Sequence, residues 1–436
     1  MALGGGIWTR QDKILPGTYT TFSNAKRANA SLSSRGVVAL PIVLNWGEKG
    51  KVFEVTKEDF LTKAKEIFGY RADDKAMINL REVFAHAKKA LVYRLVAADA
   101  VAASNTLATA KHPGTRGNDI KLVVAANVDK PSAFDVSTYL DNVLVDTQTV
   151  DSITGLKDNQ YVAFKRSGAL SASAGMPLAG GTNGGTITGE IYSKALESFE
   201  PYSFNVLCCP TNDSTINKLF AAYTKRMRDD VGAKFQTVTY KSDDNFEGII
   251  SLINDAVATD KHSLVYWVSG AEAECGVNET LTNADYDGEY EVVADLKQSQ
   301  LETAIKQGKF AFHNVNGKVK VLEDINTFTA FRNDKDVAFA SNQTIRVIDQ
   351  IANDIAVLFN TRYLGRVPND NAGRISLWND VCKVHQELEK LRAIENFDVN
   401  SVEIVQGDDK KSVLCTVKDI NIINAMTKLY MNVIIA

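Results

Sequence analysis

The chain has 436 residues, of which 45% are hydrophobic and 23% charged, and 49 Lys+Arg against 53 Asp+Glu leave a net charge of −4. These globular proportions exclude a disordered or low-complexity chain, and the missing basic surplus argues against nucleic acid as a partner. No apolar run approaches the roughly 18 residues that span a bilayer, so no direct membrane insertion is expected.

Met1 to Thr9 has glycines and no basic residue, a poor match to a secretory leader. Residues 1–25 read as an extended arm. Ile14 and Leu15 precede the turn pair Pro16-Gly17, and Tyr19, Thr20, Thr21 and Phe22 form a second short strand candidate. Gly36 to Trp46 reads as a buried strand in which Pro41 demands an edge or a bulge. Thr56 caps a helix bearing Phe60, Ala64, Ile67 and Phe68. A second helix bears Ile78, Val83 and Ala87, and Ala90 to Val96 is a strand.

From 97 to 180 the texture turns to Thr, Ser, Asp, Asn, Gly and Val. Leu122–Ala126, Phe134–Tyr139, Asn142–Thr147 and Tyr161–Lys165 read as short strands, with Asp141-Asn142 as a hairpin turn. Gly180 to Gly185 reads as a flexible joint. Beyond it, Ile191, Ala195, Leu196 and Phe199 predict a helix, and Phe204–Cys209 a strand. A helix opens at Asn212–Ser214, and Phe235–Tyr240 is a strand. Phe246, Ile249, Ile250 and Ile253 suggest a helix face, and Ser263–Val268 a strand. This β-α-β-α-β order predicts a parallel sheet flanked by helices. Asn316-Gly317 predicts a hairpin between Phe310–Val315 and Lys318–Leu322.

Two long helices follow, marked by Ile345 to Phe359 and by Trp378 to Leu391. Val399–Val405 and Val413–Val417 are strands. In the last segment, Leu429, Met431, Val433 and Ile435 alternate with Lys428, Tyr430, Asn432 and Ile434. That period of two predicts a strand, either an edge or one donated to a partner. The expected fold is an α/β core of βαβ units with a mixed sheet over 26–96 and 181–412, including a C-terminal helical part. A β-rich insertion spans 97–180, and arms span 1–25 and 413–436.

Catalytic and ligand signatures are weak. Gly180 to Gly185 lacks the Lys-Ser/Thr of a phosphate-binding loop and the spacing of a dinucleotide fingerprint. His112 to Asp119 reads as a structured turn in which Arg116 and Asp119 may pair. The cysteines at 208, 209, 275, 382 and 415 lack zinc spacing and read as reduced, buried side chains. A thiol nucleophile from Cys208 or Cys209 with His262 is the enzyme alternative, on a hydrolase-like α/β core, and no local signature supports it. His385 reads as a packed core residue. Asp285, Asp287 and Glu289 read as an acidic surface loop that fails the calcium-loop pattern. No catalytic residue, cofactor or metal is assigned. A monomeric carbohydrate-binding module on 97–180 is a third alternative.

Four passages carry a resemblance: Met1 to Gly6 with Lys13 to Tyr19; Arg35 to Pro41 through Asn45-Trp46-Gly47; Ala110 to Ile120; and Ala425 to Val433. Together they resemble the contractile tail sheath proteins of bacteriophages and phage-tail-like particles, of the type found in Gram-positive hosts. The resemblance implies a non-enzymatic subunit of hexameric rings stacked in a helical sheath. Its implied partners are further copies of the chain, a tail tube protein, and baseplate and tail terminator proteins. It places the protein in a virion tail or tail-like particle assembled in the bacterial host cytoplasm, with the insertion facing outward. It also implies strand exchange between subunits through Ile14, Leu15, Tyr19, Thr20, Thr21, Phe22, Leu429, Tyr430, Met431, Asn432, Val433 and Ile434.

Overall fold

Strand β1 (Val37–Val43) is apolar throughout, as a strand buried on both faces must be. It belongs to a computed structural model that describes residues 32–435. An unpredicted strand, β2 (Val52–Thr56), follows. Thr56 then caps α1 (Lys57–Phe68), its hydroxyl accepting from the Asp59 amide at 3.0 Å. Helix α2 (Ile78–His86) leads into β3 (Lys89–Leu95). Pro41 sits opposite Tyr93 of β3 in unbroken register, so there is no bulge. It is tolerated because the neighbour on the other side pairs only with Val38 and Ala39, which leaves Pro41 past the end of that ladder.

The β-rich stretch contains β4 (Ala108–Ala110), β5 (Ile120–Ala126), β6 (Phe134–Leu140), β7 (Val143–Val150), β8 (Val162–Phe164) and β9 (Ser173–Pro177). Four of these form an antiparallel sheet ordered β7-β6-β5-β9, and β4 pairs with β8. Asp141 and Asn142 turn the β6–β7 hairpin at φ 53° and 61°, the positive values a two-residue turn needs. The stretch has its own core around Leu122, Val136, Leu140 and Val162, which also takes in Trp46. The glycine-rich segment that closes it is not a flexible joint. Asn118 Nδ2 donates to Gly181 O at 2.9 Å, the Gly181 amide donates to Asn118 Oδ1 at 2.8 Å, and the Gly185 amide donates to Asp99 Oδ1 at 2.9 Å.

The chain then forms α3 (Gly189–Phe199), β10 (Val206–Cys208), α4 (Ser214–Arg226), β11 (Gln236–Tyr240) and β12 (Ile249–Leu252). Helix α5 (Leu264–Glu274), α6 (Gln298–Lys306), β13 (Lys309–Phe310), β14 (Phe312–Val315) and β15 (Lys318–Val321) follow. Two expectations are inverted here. The 249–253 region is a strand, and the 264–268 region begins a helix. Both are fully buried, and an element buried on every side shows no polar face from which a period could be read. The large sheet is ordered β13-β12-β11-β10-β1-β3-β2, parallel except for β2 against β3. Successive residues face opposite sides. Val38, Leu40 and Cys208 meet α1, α2 and α5, whereas Ala39, Leu207 and Cys209 meet α3 and α4.

The last part comprises α7 (Asn342–Leu358), α8 (Asn371–Lys390), β16 (Ile394–Glu395), β17 (Val402–Gln406), β18 (Val413–Val417) and β19 (Asn421–Ile422). β17 pairs with β18 and β16 with β19, each as a separate two-stranded antiparallel sheet. Residues 426–435 adopt no regular secondary structure, contrary to the strand expected there. A strand is a paired object, and among the described residues nothing pairs with the segment.

Candidate assembly site

The surface that stands apart from the packed fold is the C-terminal segment. Its path begins on two anchors. The Ile423 amide donates to Ala393 O at 2.9 Å, continuing the β16–β19 pairing. Gln343, on the first turn of α7, then grips the chain twice. Its Oε1 accepts from the Ala425 amide at 3.0 Å, and its Nε2 donates to Ile423 O at 3.2 Å. Between these bonds, Asn424 Oδ1 accepts from Ser341 Oγ and Thr344 Oγ1, both at 3.3 Å.

Past Ala425 the hydrogen bonds that hold the segment end, among the described residues. Met426 is 100% exposed, Tyr430 90% and Ile435 89%, and Leu429, Met431, Val433 and Ile434 are also exposed. Seven large apolar side chains in ten residues is more than a solvated tail needs, and contiguous exposed apolar surface marks an interaction site. Asn432 lies among them, equally exposed. Of the predicted exchange residues, Leu429, Tyr430, Met431, Asn432, Val433 and Ile434 therefore fall on this segment. Ile14, Leu15, Tyr19, Thr20, Thr21 and Phe22 lie outside the described residues.

The β17–β18 hairpin is a strand pair with open edges in the C-terminal part. It has two strands only, so the outer edge of each lacks a ladder partner among the described residues. Helix α8 supports β17, where Trp378 Nε1 donates to Val402 O at 2.9 Å. Leu414 and Val405 remain exposed on the hairpin. Sequence reasoning missed Gln343, Asn424 and Ser341, because a polar helix start reads the same whether it faces water or grips a neighbouring segment.

The other predicted chemistry resolves into packing. Cys208 and Cys209 are fully buried on opposite faces of β10, and burial pushes the Cys208 thiol up to about 12. Cys209 Sγ lies 3.2 Å from Asn217 Oδ1. Burial lowers the His262 pKa, and its ring lies tilted against Tyr240, centroids 6.2 Å apart. Cys275 and Cys382 are also buried, but Cys415 on β18 is exposed, contrary to the expectation for all five. Arg116 does pair with Asp119, at 2.9 Å, and also with Asp141 at 2.5 Å. His385 is buried, its Nδ1 lying 2.9 Å from Val381 O. The 285–289 stretch does more than coat the surface: Trp267 Nε1 donates to Asp287 at 2.7 Å, and Glu289 receives Arg81 at 2.5 Å. Among the described residues no cluster of His, Cys, Asp and Glu has metal-holding geometry, and no helix is long and apolar enough to cross a membrane.

An α/β fold that exposes a strand-length apolar segment, unpaired among the described residues, has the features expected of a self-assembling structural protein. Family comparisons say which kind. Residues 35–95 match the tail sheath protein Gp18 domain III N-terminal region, 96–183 the phage tail sheath protein beta-sandwich domain, 185–327 the phage tail sheath protein central domain and 334–436 the phage tail sheath C-terminal domain. The phage-like element PBSX protein XkdK of Bacillus subtilis is 31% identical over 466 residues, covering 99% of both chains. The solved sheath tail protein of Desulfitobacterium hafniense is 35% identical with a TM-score of 0.79, over 89% of this chain and 93% of that one. The sheath tail protein of Listeria innocua is 30% identical with a TM-score of 0.80, over 92% and 95%. The chain belongs to the phage tail sheath family and is a structural subunit of a tail sheath.

Proposed function

We propose that the subunit polymerises as hexameric rings stacked in a helical sheath around a tail tube protein, between baseplate and tail terminator proteins, and that the sheath contracts to drive the tube through a cell envelope. Residues 429–434 add as a strand to a neighbour's small sheet, and the arm at 14–22 takes part in the same exchange. The core of βαβ units (26–96 and 181–412) moves as a body, the β-rich insertion (97–180) faces outward, and the arms (1–25 and 413–436) keep neighbours linked while cores repack. The particle is a virion tail or tail-like particle assembled in the host cytoplasm. No catalysis enters this reading: the energy comes from the difference in burial and charge pairing between two lattices.

The observation that carries the reading is the exposed, unpaired apolar segment 426–435. Ten extended residues reach about 33 Å, enough to bridge to a neighbouring copy. An open two-stranded edge such as that of β17–β18 offers the backbone partners, and alternate side chains set the register.

The test is proline scanning. Proline removes one donor and fixes φ, which a paired strand tolerates poorly. Asn432→Pro and Val433→Pro are expected to leave dispersed subunits melting as wild type, since neither residue makes a hydrogen bond among the described residues. Long tubes in negative stain are expected to disappear for at least one of the two, because paired residues alternate. Val433→Ala keeps the N–H and is expected to be milder. Normal tubes from both proline variants would sink the exchange model.

A further inference from the structure

The exit point of the C-terminal segment is sharply defined. Up to Ala425 every residue from Asn421 is tied down: Asn421 and Ile422 by pairing with β16, Ile423 by Ala393 O and Gln343, Asn424 by Ser341 and Thr344, and Ala425 by Gln343. From Met426 onward no such bond is made among the described residues. One side chain spans the boundary. The Gln343 amide offers one donor and one acceptor to the same segment two residues apart, which is the bonding a neighbouring strand would supply. Gln343 is 3% exposed with the segment in place, so both bonds form where water competes little.

The next residues are guided too. Thr427 and Lys428 lie on the wall of a cleft of about 510 Å³ that Gln343 also lines, opposite Ile305, Phe328, Phe331 and Val337. The segment thus departs along a fixed wall in a fixed direction. A strand must reach its acceptor in register, and a free hinge at 423–425 would spread its ten residues over many directions. Holding the root removes that entropy before the partner arrives.

We infer that Gln343 is a positioning residue for sheath assembly: its amide fixes the point and direction at which residues 426–435 leave the subunit toward a second copy of this chain. The inference rests on the strand-exchange reading above, and the test separates the two.

Three full-length proteins and one truncation suffice. Gln343→Met keeps the length and apolar bulk of the side chain and removes both bonds. Gln343→Glu keeps the acceptor for the Ala425 amide and loses the donor. The truncation ends at Ala425. Assembly is read as the lowest protein concentration that yields tubes, beside the melting temperature of dispersed subunits and amide exchange at Ile423 and Ala425. In Gln343→Met, Ala425 exchange is expected to accelerate at least about tenfold and the assembly threshold to rise about tenfold, with melting within about 3 °C of wild type. Gln343→Glu is expected to fall between the two. If the truncated chain forms normal tubes, strand exchange by this segment is wrong. If the truncation abolishes tubes while Gln343→Met assembles at the wild-type threshold, exchange stands and the positioning role is overturned. A fall of 10 °C or more in the melting of Gln343→Met also overturns it, because the residue then serves the subunit's own stability.

Discussion

Arg346 and its two carboxylates show what fastens the end of the molecule to the rest. All three are 1% to 3% exposed as residues, in a region where an unpaired charge is costly. Arg346 Nη1 donates to Glu272 at 2.6 Å, Nη2 to Asp324 at 2.7 Å, and Asn342 Nδ2 joins both carboxylates at 3.1 and 2.8 Å. With one guanidinium bonded to both acids, the two carboxyls are driven apart in proton affinity. Burial pushes Glu272 well up, and the Asp324 charge adds to it. Burial pushes Asp324 up as well, but the Arg346 charge and a hydrogen bond from Glu272 outweigh it and hold Asp324 at about 2. The signs follow. Glu272, raised, gives stability that is complete below its ordinary 4.5 and erodes as pH climbs toward its folded value. Asp324, lowered, gives stability that is complete above its ordinary 3.8 and is lost as pH falls toward about 2. Glu272→Gln, which mimics the protonated acid, is expected to cost less than about 1 kcal/mol at pH 5 and to flatten the decline between pH 5 and 9. Asp324→Asn leaves Glu272 as the guanidinium's remaining acidic partner and is expected to cost about 1.5–3 kcal/mol at pH 7, the worth of a hydrogen bond to a charged group. Urea unfolding of dispersed subunits at pH 5, 7 and 9 measures both; an unchanged pH slope in Glu272→Gln would refute the split in proton affinity.

At the scale of elements, what the sequence made legible depended on local chemistry. Thr56, Asp213 and the Asn316-Gly317 turn each announced a boundary through a cap or a positive φ, and each stands where expected. Alternation also placed β10, with Cys208 and Cys209 on opposite faces. The swap of β12 and α5 shows the limit. Every residue of Leu264–Ala273 is buried, so the run carried no amphipathic signature, and the 11-residue length of the helix was the only usable clue. The assembly segment was half legible. Its period-two pattern was plain, but pairing is a property of a partner that the sequence does not contain, and Gln343 lies 80 residues upstream of the backbone it grips. Cysteine burial gives a check on these placements. Four of the five thiols are buried, Cys208 and Cys382 within β10 and α8 and Cys209 and Cys275 just past the ends of β10 and α5, and one, Cys415, lies exposed on β18. A maleimide is expected to label one thiol per dispersed native subunit and five after denaturation, because reaction needs both access and thiolate. Two or more labelled in the native subunit would contradict the packing of β10 or α8.

For the whole molecule, the question is how far the β-rich stretch is independent of the rest. A polar module with both ends near each other invites the expectation that 98–178 can be cut out. The contacts argue otherwise. Trp46, 1% exposed and on the core side of the junction, is packed inside the stretch's own hydrophobic cluster, with His112 edge-on at 5.0 Å. Arg94 at the end of β3 is fully buried without a carboxylate, and burial lowers its pKa to about 10. It is held instead by three carbonyls, Leu44 O at 2.9 Å, Gly47 O at 2.7 Å and Pro113 O at 2.6 Å, the last from across the junction. Arg116 returns the grip, donating to Gly69 O at 2.8 Å with its guanidinium 4.1 Å over the Tyr70 ring. Backbones approach so closely there that a Cβ on Gly114 would sit 2.1 Å from Asn45 O, at φ +133°. Replacing 98–178 by a Gly/Ser linker is therefore expected to expose Trp46 and produce aggregation or a melting temperature at least about 10 °C lower. A buried tryptophan covers about 150–250 Å², roughly 4–6 kcal/mol of burial at 25 cal/mol per Å². Adding Trp46→Ser to the deletion removes the sticky surface and is expected to recover soluble, cooperatively melting protein. That double variant retains α7, Gln343 and the C-terminal segment, so it is expected to form tubes in negative stain. A plain deletion that melts like the full chain would show that the interlock around Trp46 and Arg94 contributes nothing. A soluble double variant that forms no tubes would make the β-rich stretch part of the assembly itself.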